Sequence, residues 1–372
     1  MIRVAVICGK MDSGGKKNLI MEYYRHIDRT KIQFDFICDS DSNSIPREEI
    51  ESLGGRVYEI APYQHIFQNM RDMKKLFKAN KYPIIHAYNS TMNVFPLAVA
   101  KYCKIPVRIS ESLSMAHKDE GKTLLKKLLR PLSGLFANCF LACGVDCGIW
   151  QFGKDRYYQG NVKIFKTCVN TDFNDYDPEL RKRTRERFGW ENKTVIGHIG
   201  RFVPQKNPLK ILSITAQLIK DDPNVVLCLI GDGYLKDEME AKIDELGIRD
   251  HICYLGRRED IQQFYNAMDG FLLPSLYEGL PVVGLEAECC GLPVFFSAEI
   301  TKEASACELG VFLGLDAPDE LWSRTILENV RKNIPKRTGR KFDVVFHGFD
   351  SRNEAKKLQE YYLDRLEEFS ND

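Results

Sequence analysis

No apolar run in this 372-residue chain approaches the roughly 18 residues that a membrane-spanning helix needs. The stretch Met1 to Cys8 sets Arg3 inside a short apolar run and leads into Gly9, which reads as a first buried strand and not as a secretory signal. An excess of charge is also lacking. The 53 lysines and arginines stand against 52 aspartates and glutamates, so no global field calls for nucleic acid or an acidic partner, and any basic site must be local. There is no Cys-x2-Cys pair among twelve cysteines, and no histidine lies near Cys139, Cys143 and Cys147, the closest approach to a metal cluster. Cys8, Cys38, Cys228 and Cys253 sit in apolar runs and read as small buried hydrophobes, reduced as in a cytoplasmic protein. Gly-x-Gly-x-x-Gly is missing, which argues against a dinucleotide fold of the NAD type. The triplet Gly121-Lys122-Thr123 ends like a P-loop, but Ala116 stands where the P-loop's first glycine is required.

What is present is length for two cores and a repeated alternation. Strands are predicted at Arg3 to Cys8, Gln33 to Cys38, Arg56 to Ile60, Pro83 to Tyr88, Pro106 to Ser110 and Cys139 to Ala142, with helix-like segments between them. A polar, charged segment from Asp172 to Glu191 reads as a surface connection. A second series follows at Thr194 to Gly200, Val225 to Gly231, Ile252 to Gly256, Gly270 to Pro274 and Pro293 to Ser297. The expectation is an α/β protein of two doubly wound parallel sheets, residues 1–172 and 173–351. At the end, Ser351-Arg-Asn-Glu354 has the form of a capping box, ahead of a helix with apolar or aromatic residues at Ala355, Leu358, Tyr361, Tyr362, Leu366 and Phe369.

The richest segment runs from Leu276 to Pro293. Pro281 suits a first helical position and Gly291 a helix stop. Glu278 therefore lies just ahead of a helix N-terminus and Glu286 in its second turn, at the carboxyl end of a strand. Gly279, Leu280 and Pro281 lead into free backbone N–H groups that suit a diphosphate. Gly200-Arg-Phe-Val-Pro-Gln-Lys-Asn207 also follows a strand, and its Arg201 and Lys206 can hold and neutralise phosphate oxygens. In the first half, the loop from Gly9 to Asn18 leads into a helix running to about Tyr24, and its glycines, Gly14 and Gly15 among them, suit a cleft facing sugar or phosphate. Lys122 to Phe136 is basic and amphipathic, able either to lie on an anionic membrane or to cover a core.

The framed Glu278 and Glu286 resemble the Glu-x7-Glu signature of retaining glycosyltransferases of family 4. The Gly200 to Asn207 segment resembles that family's diphosphate-binding Gly-Arg-x-x-x-x-Lys-Asn pattern. The resemblance spans nearly the whole chain, and Met11 to Gly15 with Tyr23 to Phe36 is similar to the subgroup that builds capsular and exopolysaccharides. It implies a GT-B fold, two Rossmann-like domains facing across a cleft, with the helix 352–372 crossing back onto the first. It further implies a metal-independent, retaining hexosyl- or N-acetylhexosaminyltransferase using a nucleotide-sugar, UDP-linked, as substrate and no cofactor. Glu278 would contact the sugar, Glu286 the ribose, Arg201 and Lys206 the diphosphate beside Gly200, and Arg257, in Gly256-Arg-Arg-Glu-Asp260, the base. A glycan or lipid-linked acceptor would enter across Gly14, Gly15 and Glu111, at the inner face of the cell membrane.

Glu111 stands where many relatives have histidine, and Lys166 to Phe173 lacks the usual Asn-Gly-Ile/Val-Asp turn. Those departures keep in view a catalytically silent nucleotide-sugar-binding protein, beside the alternative of a sugar-nucleotide epimerase or hydrolase on the same fold. Asp39-Ser-Asp41 is similar to the Asp-x-Asp metal motif of the other large glycosyltransferase fold, but it follows a strand where polar loop residues are expected.

Overall fold

The computed structural model describes residues 1–12, 14–113 and 123–370. Ser13, residues 114–122 with Gly121 and Lys122 of the P-loop-like triplet, and residues 371–372 of the expected terminal helix lie outside them. The chain divides into two compact units, residues 1–168 with 351–372, and residues 169–350. The divisions stand at 168/169 and 350/351, against the expected 172/173 and 351/352.

Unit 1 holds seven strands: β1 (Ile2–Gly9), β2 (Ile32–Asp39), β3 (Arg56–Ile60), β4 (Ile84–Ala87), β5 (Val107–Ser112), β6 (Cys139–Ala142) and β7 (Val162–Ile164). They form one parallel sheet in the order β3-β2-β1-β4-β5-β6-β7. Its crossovers are α1 (Gly15–His26), α2 (Arg47–Ser52), α3 (Ile66–Asn80), α4 (Val94–Tyr102), α5 (Thr123–Leu129), α6 (Val145–Phe152) and α7 (Lys154–Tyr158). Helix α1 starts at Gly15, earlier than the sequence pattern suggests.

Unit 2 has α8 (Pro178–Phe188), α9 (Pro208–Asp221), α10 (Lys236–Leu246), α11 (Gln262–Ala267), α12 (Val282–Cys289), α13 (Asp319–Asn333) and α14 (Lys341–Phe346). They surround a six-stranded parallel sheet of β8 (Thr194–Ile199), β9 (Val225–Ile230), β10 (Ile252–Tyr254), β11 (Gly270–Leu273), β12 (Val294–Ser297) and β13 (Gly310–Leu313), ordered β10-β9-β8-β11-β12-β13. The central strands are buried on both faces, which is why β9 reads Val-Val-Leu-Cys-Leu-Ile without alternation. β7 and β13 escaped the sequence reading because they are short edge strands, only partly buried, and Lys163 interrupts β7.

The charged stretch from Asp172 to Glu191 is not a surface connection but contains α8, part of unit 2. Asp177 caps it by accepting hydrogen bonds from the Glu179 and Leu180 N–H groups, Pro178 opens it, and Gly189 closes it in the left-handed region. Its charge has an inward use. Arg181 and Arg185 reach the buried Asp269 at 2.5 and 3.1 Å, and Asp269 also accepts from the Val195 N–H at 2.8 Å.

The last helix, α15 (Ser351–Ser370), belongs to unit 1, where Ala355, Leu358 and Tyr362 join the core around β1 and β2. The expected capping box is differently wired. Glu354 accepts from the Lys166 N–H at 3.1 Å and pairs with Lys357, tying the helix to the chain that leaves unit 1. No helix among the described residues is long and apolar enough to cross a membrane.

Removing Asp269 leaves two inward-directed guanidinium groups without their carboxylate. Asp269→Ala is expected to cost about 3–5 kcal/mol, read as a lowered guanidinium unfolding midpoint at unchanged slope. A loss under about 1 kcal/mol would show that solvent already screens the network.

Candidate active site

The order of the second sheet makes β8 and β11 neighbours while their chains cross over to opposite sides, β8 toward β9 and β11 toward β12. At such a divergence the two loops beyond the carboxyl ends part from each other and open a crevice. The residues singled out in the sequence lie there. Gly200 to Asn207 leaves β8, and Pro274 to Pro281 leaves β11.

The two loops are stitched together. The Leu276 N–H donates to the Gln205 carbonyl at 2.8 Å, and the Gln205 amide donates to the Tyr277 carbonyl at 3.1 Å and to Glu278 at 3.3 Å. Lys206 Nζ lies 2.5 Å from Glu278 Oε1, both side chains largely buried. Arg201, on the same loop, is exposed and forms no ion pair among the described residues. Beyond Glu278, Gly279 and Leu280 lead to α12. Pro281 caps that helix in an extended conformation and does not occupy its first position. Glu286, in the second turn, accepts a hydrogen bond from the Tyr265 hydroxyl at 2.8 Å.

Backbone contacts fix the floor. Gly231, at φ +141°, comes so close to Gly200 that a Cβ would stand 1.8 Å from the Gly200 carbonyl oxygen, which no other residue could tolerate. The Gly200 N–H donates to Ile230 and the Gly231 N–H to Gly256, so the ends of β8, β9 and β10 are held in step. Arg257 extends from the last of these into solvent, 3.5 Å from Asp232.

Under the β8 loop lies a residue the sequence reading passed over. His198 is fully buried, with Nδ1 2.9 Å from the Leu272 carbonyl and Nε2 without a partner, directed to the space beneath Gly200. Burial, with Lys206 adding to it, drives its pKa down to about 4, so it is a neutral ring at physiological pH. A lone histidine in the apolar run Thr194 to Gly200 was its signal. Gln205 and Tyr265 were likewise missed, since their part is visible only once the loops are brought together.

The pattern of the family described as Glycosyl transferases group 1 matches residues 181–310, which takes in most of α8 and β8 through β12 and ends at the first residue of β13. The chain carries a glycosyl transferases group 1 domain. Over 97% of its length it is 29% identical to a protein of Bacillus subtilis named putative glycosyltransferase EpsF, covering 96% of that protein. It is 27% identical to an Escherichia coli UDP-Gal:alpha-D-GlcNAc-diphosphoundecaprenol alpha-1,3-galactosyltransferase, across 61% of this chain and 62% of that one. The structure of Anabaena HepE in complex with UDP-glucose superposes with a TM-score of 0.80 at 17% identity, covering 98% of this chain and all of the other. The two Rossmann-like units are those of the GT-B fold.

In unit 1, outside the glycosyl transferases group 1 match, Gly14 at φ +146° precedes α1, and neither Gly14 nor Gly15 has an atom within 4 Å of where a Cβ would stand. Both face open space. Glu111 does not. It lies on β5, fully buried, 2.8 Å from His86 Nε2, while His86 Nδ1 is 2.7 Å from the Tyr362 hydroxyl of α15. The expectation that an acceptor passes over Glu111 gives way to an interior setting, because the strand extends to Ser112 and carries that side chain into the core. Asp39 is buried and accepts from the Tyr63 N–H, while Asp41 pairs with Lys10 at 3.2 Å.

Two turns into α12, Glu288 is fully buried against Ser305 and the Ala306 N–H. Burial pushes its carboxyl up to about 7, outweighing those hydrogen bonds. In the unfolded chain a glutamate titrates near roughly 4.3, so between there and about 7 the folded state keeps a proton that the unfolded state has lost. Its stabilising contribution is therefore complete at acid pH and is lost as pH rises through about 7. His198 acts oppositely over the acid side of that range, so the comparison must be with a variant. Unfolding free energy of the unaltered protein, relative to Glu288→Gln, should fall by a few kcal/mol, on the order of that shift, between pH 5 and 8 or so. A difference that stays flat would mean the group is ionised throughout.

Proposed function

We propose that this chain is a retaining glycosyltransferase that moves a sugar from a UDP-sugar to a glycan or lipid-linked acceptor in surface polysaccharide synthesis. The observation that carries the reading is the contact of Lys206 with Glu278 where the β8 and β11 loops part. A cation and a carboxylate are there held side by side, matched to the two halves of a nucleotide-sugar, its diphosphate and its sugar hydroxyls. The names of the relatives agree with the class of reaction, since one is named for galactosyl transfer from UDP-Gal to a diphosphoundecaprenol-linked sugar.

As the bond between anomeric carbon and phosphate oxygen lengthens, negative charge grows on the diphosphate. Lys206, Arg201 and the free N–H groups at the start of α12 supply fixed positive potential to meet it. The chain's own cations do the work a metal ion does elsewhere, and no metal is invoked. Retention requires that the acceptor hydroxyl approach the sugar face from which UDP departs. Glu278 accepts the sugar's hydroxyls and Glu286 the ribose hydroxyls, with the Tyr265 hydroxyl setting the Glu286 carboxylate. Arg257, exposed at the end of β10, lies toward the base. The acceptor side of unit 1 includes the open backbone at Gly14 and Gly15. A lipid-linked acceptor places the enzyme at the inner membrane face, in contact through residues 122–136.

Glu278 offsets part of the Lys206 charge while leaving the ammonium's other N–H groups for a diphosphate, and this orders the variants. Glu278→Gln frees the ammonium group and should leave UDP affinity equal or roughly threefold tighter, while turnover falls by about a hundredfold. Glu286→Gln should weaken UDP and UDP-sugar alike, because ribose contacts are shared by ground and transition states. Arg201→Ala or Lys206→Ala should cost about a hundredfold in turnover. Calorimetry with UDP and initial rates decide it, and equal loss of UDP affinity in Glu278→Gln and Glu286→Gln would refute the assignment. Release of free sugar, or its epimerisation, at full rate without acceptor would favour the hydrolase or epimerase reading.

A further inference from the structure

In unit 1, residues 124–135 carry a cluster of exposed leucines beside a basic recess. The expected basic amphipathic stretch, whose Lys122 lies outside the described residues, is helical only over α5 and then turns tightly through Arg130–Leu132. Its leucines do not cover a core. Leu124 is 73% exposed, Leu128 65% and Leu135 58%, with Leu125 and Leu132 each at 44%. Leu124 and Leu128 are one helical turn apart and so share a face.

Beside these leucines is a recess of about 340 Å³ whose walls include Lys127, Arg130 and Arg156. Three cations converge on it, and none forms an ion pair with a carboxylate among the described residues. The arginines are held by aromatic faces instead, Arg130 5.7 Å from the Trp150 ring and Arg156 4.3 Å from the Phe140 ring. Those contacts aim a guanidinium without neutralising it. The backbone is shaped to the same end. A Cβ on Gly134 would stand 2.3 Å from Arg156 Nη1, so a larger residue there would displace that guanidinium from its place.

We propose that this recess binds the phosphate of an anionic membrane lipid while the leucines beside it enter the acyl region. The proposal rests on the membrane contact given above and adds to it a defined headgroup site. Three uncompensated cations call for a phosphate ester, and a free phosphate would leave the adjoining leucines in water. Only a lipid satisfies both with one ligand, its charge in the recess and its chains against Leu124 and Leu128.

The test is co-sedimentation of the full chain with vesicles of phosphatidylcholine alone and of phosphatidylcholine with phosphatidylglycerol at about two to one. Binding to the mixed vesicles is expected to exceed binding to the neutral ones by about tenfold or more. Arg130→Gln with Arg156→Gln should abolish that excess, and Leu124→Ser with Leu128→Ser should lower binding to both, with unchanged thermal unfolding confirming the fold in each. Gly134→Ala, which displaces Arg156 without removing charge, should weaken binding to the mixed vesicles as a merely electrostatic film would not. Inorganic phosphate at millimolar concentration should neither raise the unfolding temperature nor displace the chain; protection by it would replace the lipid with a free anion and overturn the proposal. If the leucine pair matters and the arginine pair and Gly134→Ala do not, the headgroup site is wrong and the membrane contact stands. If the unaltered chain binds neither vesicle, both fall.

Discussion

The ion pair between Lys206 and Glu278 is the contact on which the second unit's site depends. It joins two loops that the sheet order drives apart, and it does so where both side chains are mostly removed from water. An exposed lysine and glutamate at that distance would contribute little, because solvent screens the attraction and both side chains lose rotamer freedom. Here Gln205 adds hydrogen bonds to the same loop, so the ammonium and carboxylate are held before any ligand arrives. Preorganisation of that kind is what makes fixed charge effective in a transition state, since no reorientation has to be repeated at the moment of reaction.

Beneath that surface a buried polar frame sets where the loops can go. Asp269, just ahead of β11, takes two arginines of α8 and the first turn of β8 through Val195. Arg337 is buried without a carboxylate in contact among the described residues. It donates to the Tyr265, Asn266, Met268 and Cys290 carbonyls, closing the ends of α11 and α12 together, and its burial lowers its pKa to about 10. Carbonyls at helix ends carry partial negative charge, so the guanidinium meets the dipoles of two helices at once. Tyr265 and Glu286 lie on these same two helices. The geometry of the Glu286 carboxylate is thus inherited from an arginine about fifty residues further along.

Much of this was legible in the sequence for a definite reason. Parallel strands buried on both faces leave unbroken apolar runs, Gly200 and Gly231 mark the ends of β8 and β9 and Gly291 that of α12, so the central strands and the Glu278 and Glu286 frame could be read directly. The edge strands β7 and β13 are only three and four residues long and partly buried, and so gave a weaker signal. Charge misled in two places. Asp172 to Glu191 was read as a solvated connection because composition does not show that Arg181 and Arg185 point inward to a carboxylate some eighty residues away. Glu111 was read as facing a ligand because it stands where the resembling family often has histidine, and only the extra length of β5 carries it inside.

The setting of Glu111 also explains why the last helix belongs to the first unit. A carboxylate with no exposed surface is costly unless it is paired. Its partner His86 is oriented from the other side of the ring by Tyr362, and Tyr88 stacks on that ring at 4.1 Å. Tyr362 is also part of the apolar stripe of α15 that fills the core over Phe34. One face of the helix therefore supplies both the hydroxyl that orders the buried polar pair and the surface that keeps water from it. A core opened by the loss of α15 would expose Glu111 and His86 together with the apolar residues around them. The first unit's polar interior and its apolar core are in this sense one structure, and the chain must return from the second unit to complete either.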